Sequence, residues 1–254
     1  YIIAEAGINH NGDFDKAINL IKEAKKCGAN AIKFQSFRAE NVVTKNLKLA
    51  KYQKKNMRKD LRMIDMIKEY ELTETEQVKL YKMSKKLKID FISSAFDLKS
   101  LEFLLNKLKL KIIKLPSGEI TNLPYLIKIA KHDKEIILST GMSSLKEIKN
   151  SLDILIKNGQ SKKKITLLHC NTSYPTPMKD VNLRAMKSLE KTFNLNVGYS
   201  DHTLGIEVAV ASVALGARVI EKHFTLNKKW KGPDQSSSLD SKDFFKMVRA
   251  IRNI

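Results

Sequence analysis

Lys33 and Lys114 stand inside apolar, β-branched runs, Ala31–Phe37 and Ile112–Gly118, where a helix-surface explanation for a cation fails. Buried charges persist only when they are paired. Ser94, Ser117, Ser139, Asn171 and Ser200 also fall at the ends of apolar runs. Together with the two ammonium groups they have the chemistry to grip a phosphate and a carboxylate. The competing reading pairs the lysines with Glu5 and Glu119 in buried salt bridges, and residue type alone leaves both open. His202 and His223 end two consecutive runs. Two imidazoles converging on one divalent metal would leave positions for water and substrate, as a catalytic ion needs. Each also reads as an ordinary structural histidine. Glu119 and Asp234 have the chemistry of acid/base groups or of partners for substrate hydroxyls. Asp234 lies in Gly232-Pro-Asp-Gln235 and fits a plain turn former equally well.

These residues need a scaffold that brings strand ends together. Short apolar runs alternate with helical periodicity eight times. The runs are Tyr1–Gly7, Ala31–Phe37, Asp90–Phe96, Ile112–Gly118, Glu135–Gly141, Ile165–Asn171, Asn196–His202 and Val219–Phe224. Nearly continuous apolar character predicts strands covered on both faces. Between them, Leu145, Ile148, Leu152 and Leu155 recur at helical spacing before Gly159, as do Leu98, Leu101, Leu104, Leu105 and Leu108, and Ile18 and Ile21 before Gly28. Asp13 and Ser144 are expected N-caps. Eight strand–helix units in 254 residues predict an α/β fold, a single (β/α)8 TIM barrel over residues 1–254. An open doubly wound sheet fits less well, because no Gly-x-Gly-x-x-Gly turn is present. Residues 38 to 72 form one long connection, expected over the active face. Every run delivers polar groups at the same end, where barrel enzymes do their chemistry.

Lys and Arg number 47 against 27 Asp and Glu, a formal net charge of +20. Only seven of the basic residues are Arg, and the lysines mostly occupy polar helix positions, which predicts a solvated Lys-rich surface. The densest stretch, Lys45 to Lys68, either lines something anionic or is simply exposed. No apolar run approaches the roughly 20 residues of a membrane span. Cys27 and Cys170 are too few for a disulfide framework, so a cytoplasmic location is expected. The chain opens on strand-like Tyr1-Ile-Ile-Ala-Glu and stops inside a helical pattern at Ile254, so it reads as an excerpt of a longer protein.

At these residues the sequence resembles the sialic acid synthase family, which condenses phosphoenolpyruvate with an acylamino sugar. The matching stretches are Ala4-Glu-Ala-Gly-Ile-Asn-His-Asn-Gly12, Lys33-Phe-Gln35, Lys114-Leu-Pro-Ser-Gly-Glu119, Leu138-Ser-Thr-Gly-Met142, Leu168-His-Cys-Asn171, Tyr174-Pro-Thr-Pro177, Gly198-Tyr-Ser-Asp-His-Thr203, Glu221-Lys-His-Phe-Thr225 and Gly232-Pro-Asp234. They run in order across the whole chain. The resemblance implies a TIM barrel followed by a small antifreeze-like domain, absent here, that swaps across a homodimer. It implies that His202 and His223 hold Mn²⁺ or Mg²⁺. It assigns Lys114, Ser117, Asn171 and Ser200, with Ser139 nearby, to the phosphate of phosphoenolpyruvate, and Lys33 and Ser94 to its carboxylate. Glu5, Gln35, Tyr174 and Asp234 would face the sugar, and Glu119 would be the acid/base residue. Ser93-Ser-Ala-Phe96 departs from a common Ser-Thr-Pro-Phe pattern but keeps the hydroxyl.

The resemblance favours N-acetylmannosamine as acceptor, giving N-acetylneuraminate and phosphate, because Lys114–Pro124 is most like bacterial N-acetylneuraminate synthases. A diacetamido sugar leading to legionaminate or pseudaminate is the alternative. A basic nucleic-acid-binding protein is the alternative of another class. The expected partners are therefore small-molecule substrates, with neither nucleic acid nor membrane.

Overall fold

The computed structural model describes residues 1–44, 46–49, 53–54 and 62–254. Eight parallel strands, β1 (Ile2–Gly7), β2 (Ala31–Ser36), β3 (Asp90–Ala95), β4 (Ile112–Leu115), β5 (Glu135–Ser139), β6 (Ile165–Cys170), β7 (Asn196–Asp201) and β8 (Val219–His223), close in chain order into a barrel. Each lies within its expected run, shortened by one to three residues where the chain turns into a loop. The helices that cover it are α1 (Phe14–Lys26), α2 (Ala39–Val42), α3 (Met63–Glu69), α4 (Glu74–Lys86), α5 (Leu98–Glu102), α6 (Leu123–Ala130), α7 (Leu145–Lys157), α8 (Arg184–Phe193), α9 (Glu207–Ala214) and α10 (Ser241–Arg252). The long connection after β2 thus carries α2 and α3. Much of the Lys45 to Lys68 stretch lies outside the described residues. Its last member, Lys68, is exposed and pairs with Glu40 at 3.0 Å.

Strand parity sorts the side chains. Ile2, Ala4, Ile32 and Phe34 join the large core between sheet and helices. Ile3, Ala31, Ile92, Ile137, Leu168 and Val219 form a separate buried plug inside the barrel. Two positions further along β1, β2, β3, β5, β6 and β8 come Glu5, Lys33, Ser94, Ser139, Cys170 and Glu221, all lining one cavity above the plug. An apolar floor with a polar layer above it is the form expected of a barrel with chemistry at its C-terminal face. Gly198 shows how tight the plug is. A Cβ there would lie 2.2 Å from the carbonyl oxygen of Val219 and 2.7 Å from Leu168, so only hydrogen fits.

Local signals explain the helix starts. Asp13 accepts from the Lys16 amide, and Ser144 and Glu147 form a reciprocal capping box on α7. Thr73 and Glu76 do the same for α4. The expected helix through Leu98–Leu108 is regular only to Glu102 and continues as a π-helix over Phe103–Lys107. The wider turn accompanies the burial of three consecutive apolar residues, Phe103, Leu104 and Leu105, which one face of an α-helix does not accommodate. Among the described residues, no helix is long and apolar enough to cross a membrane.

Candidate active site

The cavity at the C-terminal end of the barrel has a volume of about 390 Å³. Its floor is a buried layer of four charges. Lys33 Nζ lies 2.7 Å from Glu5 and 3.6 Å from Glu221, and Lys114 Nζ lies 3.7 Å from Glu221. Lys114 also donates to Ser139 Oγ at 2.7 Å, Lys33 approaches Ser94 Oγ at 3.4 Å, and Ser200 Oγ donates to Glu221 at 3.0 Å. The parallel register sets Glu5 beside Lys33 and Ser94 beside Lys114, so the pairing follows from the strand order. The two signs balance: two ammonium groups against two carboxylates.

The carboxylates differ in character. Burial pushes Glu5 up to about 7 despite Lys33 beside it, with Glu221 adding to the rise. Glu221 faces the same burial, yet Lys114, Lys33 and the Ser200 hydroxyl hold it down to about 2. Burial works against the charge on both lysines. Glu221 and Glu5 still raise Lys33 above its ordinary value, whereas burial wins at Lys114 and lowers it. Glu221 is the carboxylate that both lysines and the Ser200 hydroxyl approach, and so it sits at the centre of the layer.

A cradle stands on one side of the lysines. Ser117 Oγ accepts from the Gly141 amide at 2.9 Å. A Cβ at Gly141 would come within 2.9 Å of Thr172 and 3.0 Å of Cys170 and Ser117, so the Ser139-Thr-Gly141 turn needs its glycine for this approach. Asn171 donates to the Asp180 carbonyl at 2.7 Å, and its own side-chain oxygen is buried without a hydrogen-bond partner.

His202 and His223 meet above the charged layer, with ring centroids 5.6 Å apart. The His202 Nδ1–H donates to the Asn171 carbonyl at 2.6 Å, which leaves Nε2 as the lone-pair nitrogen. The Tyr174 hydroxyl donates to that nitrogen at 3.0 Å. Burial lowers His202 to about 4 and keeps His223 well below the usual histidine range, with His202 and Lys33 adding to the latter, so both rings are neutral. His223 Nδ1 and Glu221 Oε2 are buried with no hydrogen-bond partner. Neutral imidazoles and orphaned acceptors at one spot fit a divalent cation. Among the described residues, no group of three or more His, Cys, Asp or Glu is arranged to hold a metal. His202 and His223 are the residues that would hold it.

Of the residues expected from sequence, Glu5, Lys33, Gln35, Ser94, Lys114, Ser117, Ser139, Asn171, Tyr174, Ser200, His202, His223 and Asp234 all line this cavity. Burial pushes Asp234 up to about 6. Glu119 is not among the lining residues. It ends the short 3-10 turn Ser117–Glu119, and its carboxylate accepts from Asn122 at 2.5 Å. The salt bridge of Lys114 to Glu119 is corrected accordingly: the carboxylate facing Lys114 is Glu221, because Glu119 lies beyond the strand end and turns toward α6. Glu221 was not among the expected site residues. Parity would have found it, since a strand residue two before the inward-facing His223 must also face inward. Lys222 between them faces outward and pairs with Asp201 at 2.7 Å.

A balanced cation–carboxylate layer, a serine–glycine cradle and a neutral histidine pair meet at the mouth of a TIM barrel, the face where barrel enzymes carry their active sites. The chain belongs to the NeuB family, whose model matches residues 20–254. It is 53% identical over 253 residues to the N,N'-diacetyllegionaminic acid synthase of Campylobacter jejuni, covering 100% of this chain and 75% of that protein. It is 44% identical to the protein of the same name from Legionella pneumophila, covering 100% of this chain and 71% of that one. Among solved structures, the N-acetylneuraminic acid synthetase of Leptospira borgpetersenii, in complex with citrate, superposes with a TM-score of 0.89 at 34% identity, covering 100% of this chain and 82% of that one. These relatives are synthases of sialic acid or related nonulosonic acids, and the chain is an enzyme of that type.

Proposed function

We propose that this enzyme condenses phosphoenolpyruvate with a diacetamido sugar to give a legionaminate-type nonulosonic acid and phosphate. The observation that carries the reading is the pair of buried lysines, Lys33 and Lys114, in a layer whose carboxylates already balance them. An incoming anion takes over the role of counter-charge, so the ammonium groups need not be recruited from water. The diacetamido acceptor replaces the expectation of N-acetylmannosamine, because two relatives at 53% and 44% identity carry the diacetyllegionaminic name.

Lys114, with Ser117, Ser139, Asn171 and Ser200, would bind the phosphate, and Lys33 with Ser94 the carboxylate. C3 of the enol then faces the acceptor's aldehyde carbon. As the C–C bond forms, the carbonyl electrons move to the aldehyde oxygen, and C2 is left electron-poor. Water adds at C2, one of its protons replacing the one that the new hydroxyl takes up; the C2 hydroxyl then becomes the keto group as the bond from C2 to the phosphate oxygen breaks, and its proton leaves with the phosphate. The new hydroxyl needs a proton. Asp234, a buried carboxyl whose ionisation lies near neutrality, is suited to deliver it. Glu5, Gln35 and Tyr174 would orient the sugar. His202 and His223 would hold Mn²⁺ or Mg²⁺, which when bound supplies Lewis-acid polarisation of the aldehyde.

The deciding experiment measures phosphate release from phosphoenolpyruvate with a 2,4-diacetamido-6-deoxy hexose, N-acetylmannosamine and its 6-phosphate in parallel. The reading expects the highest kcat/KM with the diacetamido sugar. Preference for either mannosamine would move the assignment to that acceptor, and no release with any sugar would end it.

A further inference from the structure

The connection after β2 carries an element that the chemistry above does not use. Met63, Met66 and Ile67 of α3, with Tyr70 just after it, fall at helical spacing on one face, and all four line the cavity. Ile8, Phe37, Val42 and Phe96 continue this wall, and it packs as a small apolar cluster apart from the barrel core. The charges of the same helix point elsewhere: Arg62 pairs with Asp65, and Lys68 reaches Glu40. Among the described lining residues, the Lys and Arg groups are Lys33 and Lys114, both on the floor.

Gly12 explains how the wall is seated. Its φ is +71°, and a Cβ there would lie 2.1 Å from the carbonyl oxygen of Glu69. The first loop and the end of α3 therefore meet backbone to backbone. Asn9 and Asn11 anchor the same loop, donating to the Phe224 and Lys231 carbonyls at 2.9 and 2.8 Å. The Asn9-His-Asn-Gly12 motif thus ties β1, the loop after β8 and α3 into one rim.

We propose that α3, seated by Gly12, selects the acceptor sugar, and this rests on the condensation reading above. Its apolar face takes the methyl of a second acylamino substituent and a deoxygenated terminal carbon. Gly12 is a positioning residue: it acts through α3.

The test compares kcat/KM for a 2,4-diacetamido-6-deoxy hexose and for N-acetylmannosamine in the metal-supplied wild type, Ile67→Asn, Met63→Gln and Gly12→Ala. A methyl group in an apolar pocket is worth roughly 10- to 200-fold in discrimination. The ratio is therefore expected to fall at least about tenfold in each variant, through the KM of the sugar, with the KM of phosphoenolpyruvate unmoved. Ile67→Leu is expected to keep the ratio. Thermal denaturation checks that each variant is folded, and the Met63 variant carries the test if the Ile67 variant does not fold. A ratio unchanged in folded variants of an active enzyme, or a shift in the KM of phosphoenolpyruvate instead, overturns the proposal. A wild type inactive with both sugars overturns the condensation reading itself and removes the proposed occupant with it.

Discussion

Replacing Glu221 by Gln tests whether the charged layer is built to await an anion. The carboxylate lies 3.6 Å from Lys33 and 3.7 Å from Lys114, and accepts from Ser200 at 3.0 Å. At an effective dielectric near 20, unit charges this close attract by about 4 kcal/mol. Desolvation consumes much of that, and removing one member of a buried pair typically costs about 3–5 kcal/mol because the other is left uncompensated. Glu221→Gln keeps the shape and leaves two ammonium groups balanced by Glu5 alone. At about 2–4 °C per kcal/mol for a chain of this size, Tm should fall by roughly 6–20 °C in anion-poor buffer. Phosphate or phosphoenolpyruvate then supplies the missing charge, so the variant should gain more Tm from either anion than the wild type does. Calorimetry with and without added phosphate reads both effects. A variant as stable as the wild type without anion, or one that phosphate stabilises no more than the wild type, would refute the reasoning that Glu221 is the resident counter-charge.

Three further outcomes are expected. The His202→Ala/His223→Ala double variant should lose activity together with any dependence on divalent metal, and metal-stimulated turnover in it would contradict the histidine assignment. Lys114→Met should raise the KM for phosphoenolpyruvate at least about 30-fold, as loss of a buried charged partner does, while the KM for sugar changes little; an unchanged phosphoenolpyruvate constant would count against the phosphate role. Asp234 is raised by burial to about 6, so the folded state holds its proton more tightly than the unfolded chain, and its contribution to stability falls as pH rises from about 4 to about 6. Asp234→Asn should therefore match the wild type in denaturant unfolding near pH 4, exceed it by on the order of 3 kcal/mol above pH 7, and be inactive; equal stability at both pH values would mean that the carboxyl is not held against ionisation.

The barrel was readable because strands buried on both faces leave continuous β-branched runs, and eight of them left no smaller architecture. Most of the cavity residues were readable because a polar group at the end of such a run is costly without a task. Glu221 was harder. In Glu221-Lys222-His223 all three residues are polar, and only alternation separates the two that face the cavity from the lysine that pairs outward with Asp201. Glu119 does not face Lys114, for a related reason: one 3-10 turn past the end of β4 rotates it toward Asn122. The α3 wall stayed hidden because its four apolar residues are interleaved with Asp65, Lys68 and Glu69 at the end of a Lys-rich stretch. Charge density there masks the helical period. The net charge of +20 carried little, since the site's own lysines and carboxylates cancel.

The most direct test of the account is the stoichiometry of the reaction. With phosphoenolpyruvate, divalent metal and the diacetamido sugar, one phosphate should appear for each nonulosonic acid formed, and no phosphate should appear without sugar. Phosphate release at the same rate without sugar would make this cavity a site of phosphoenolpyruvate hydrolysis and contradict C–C bond formation there.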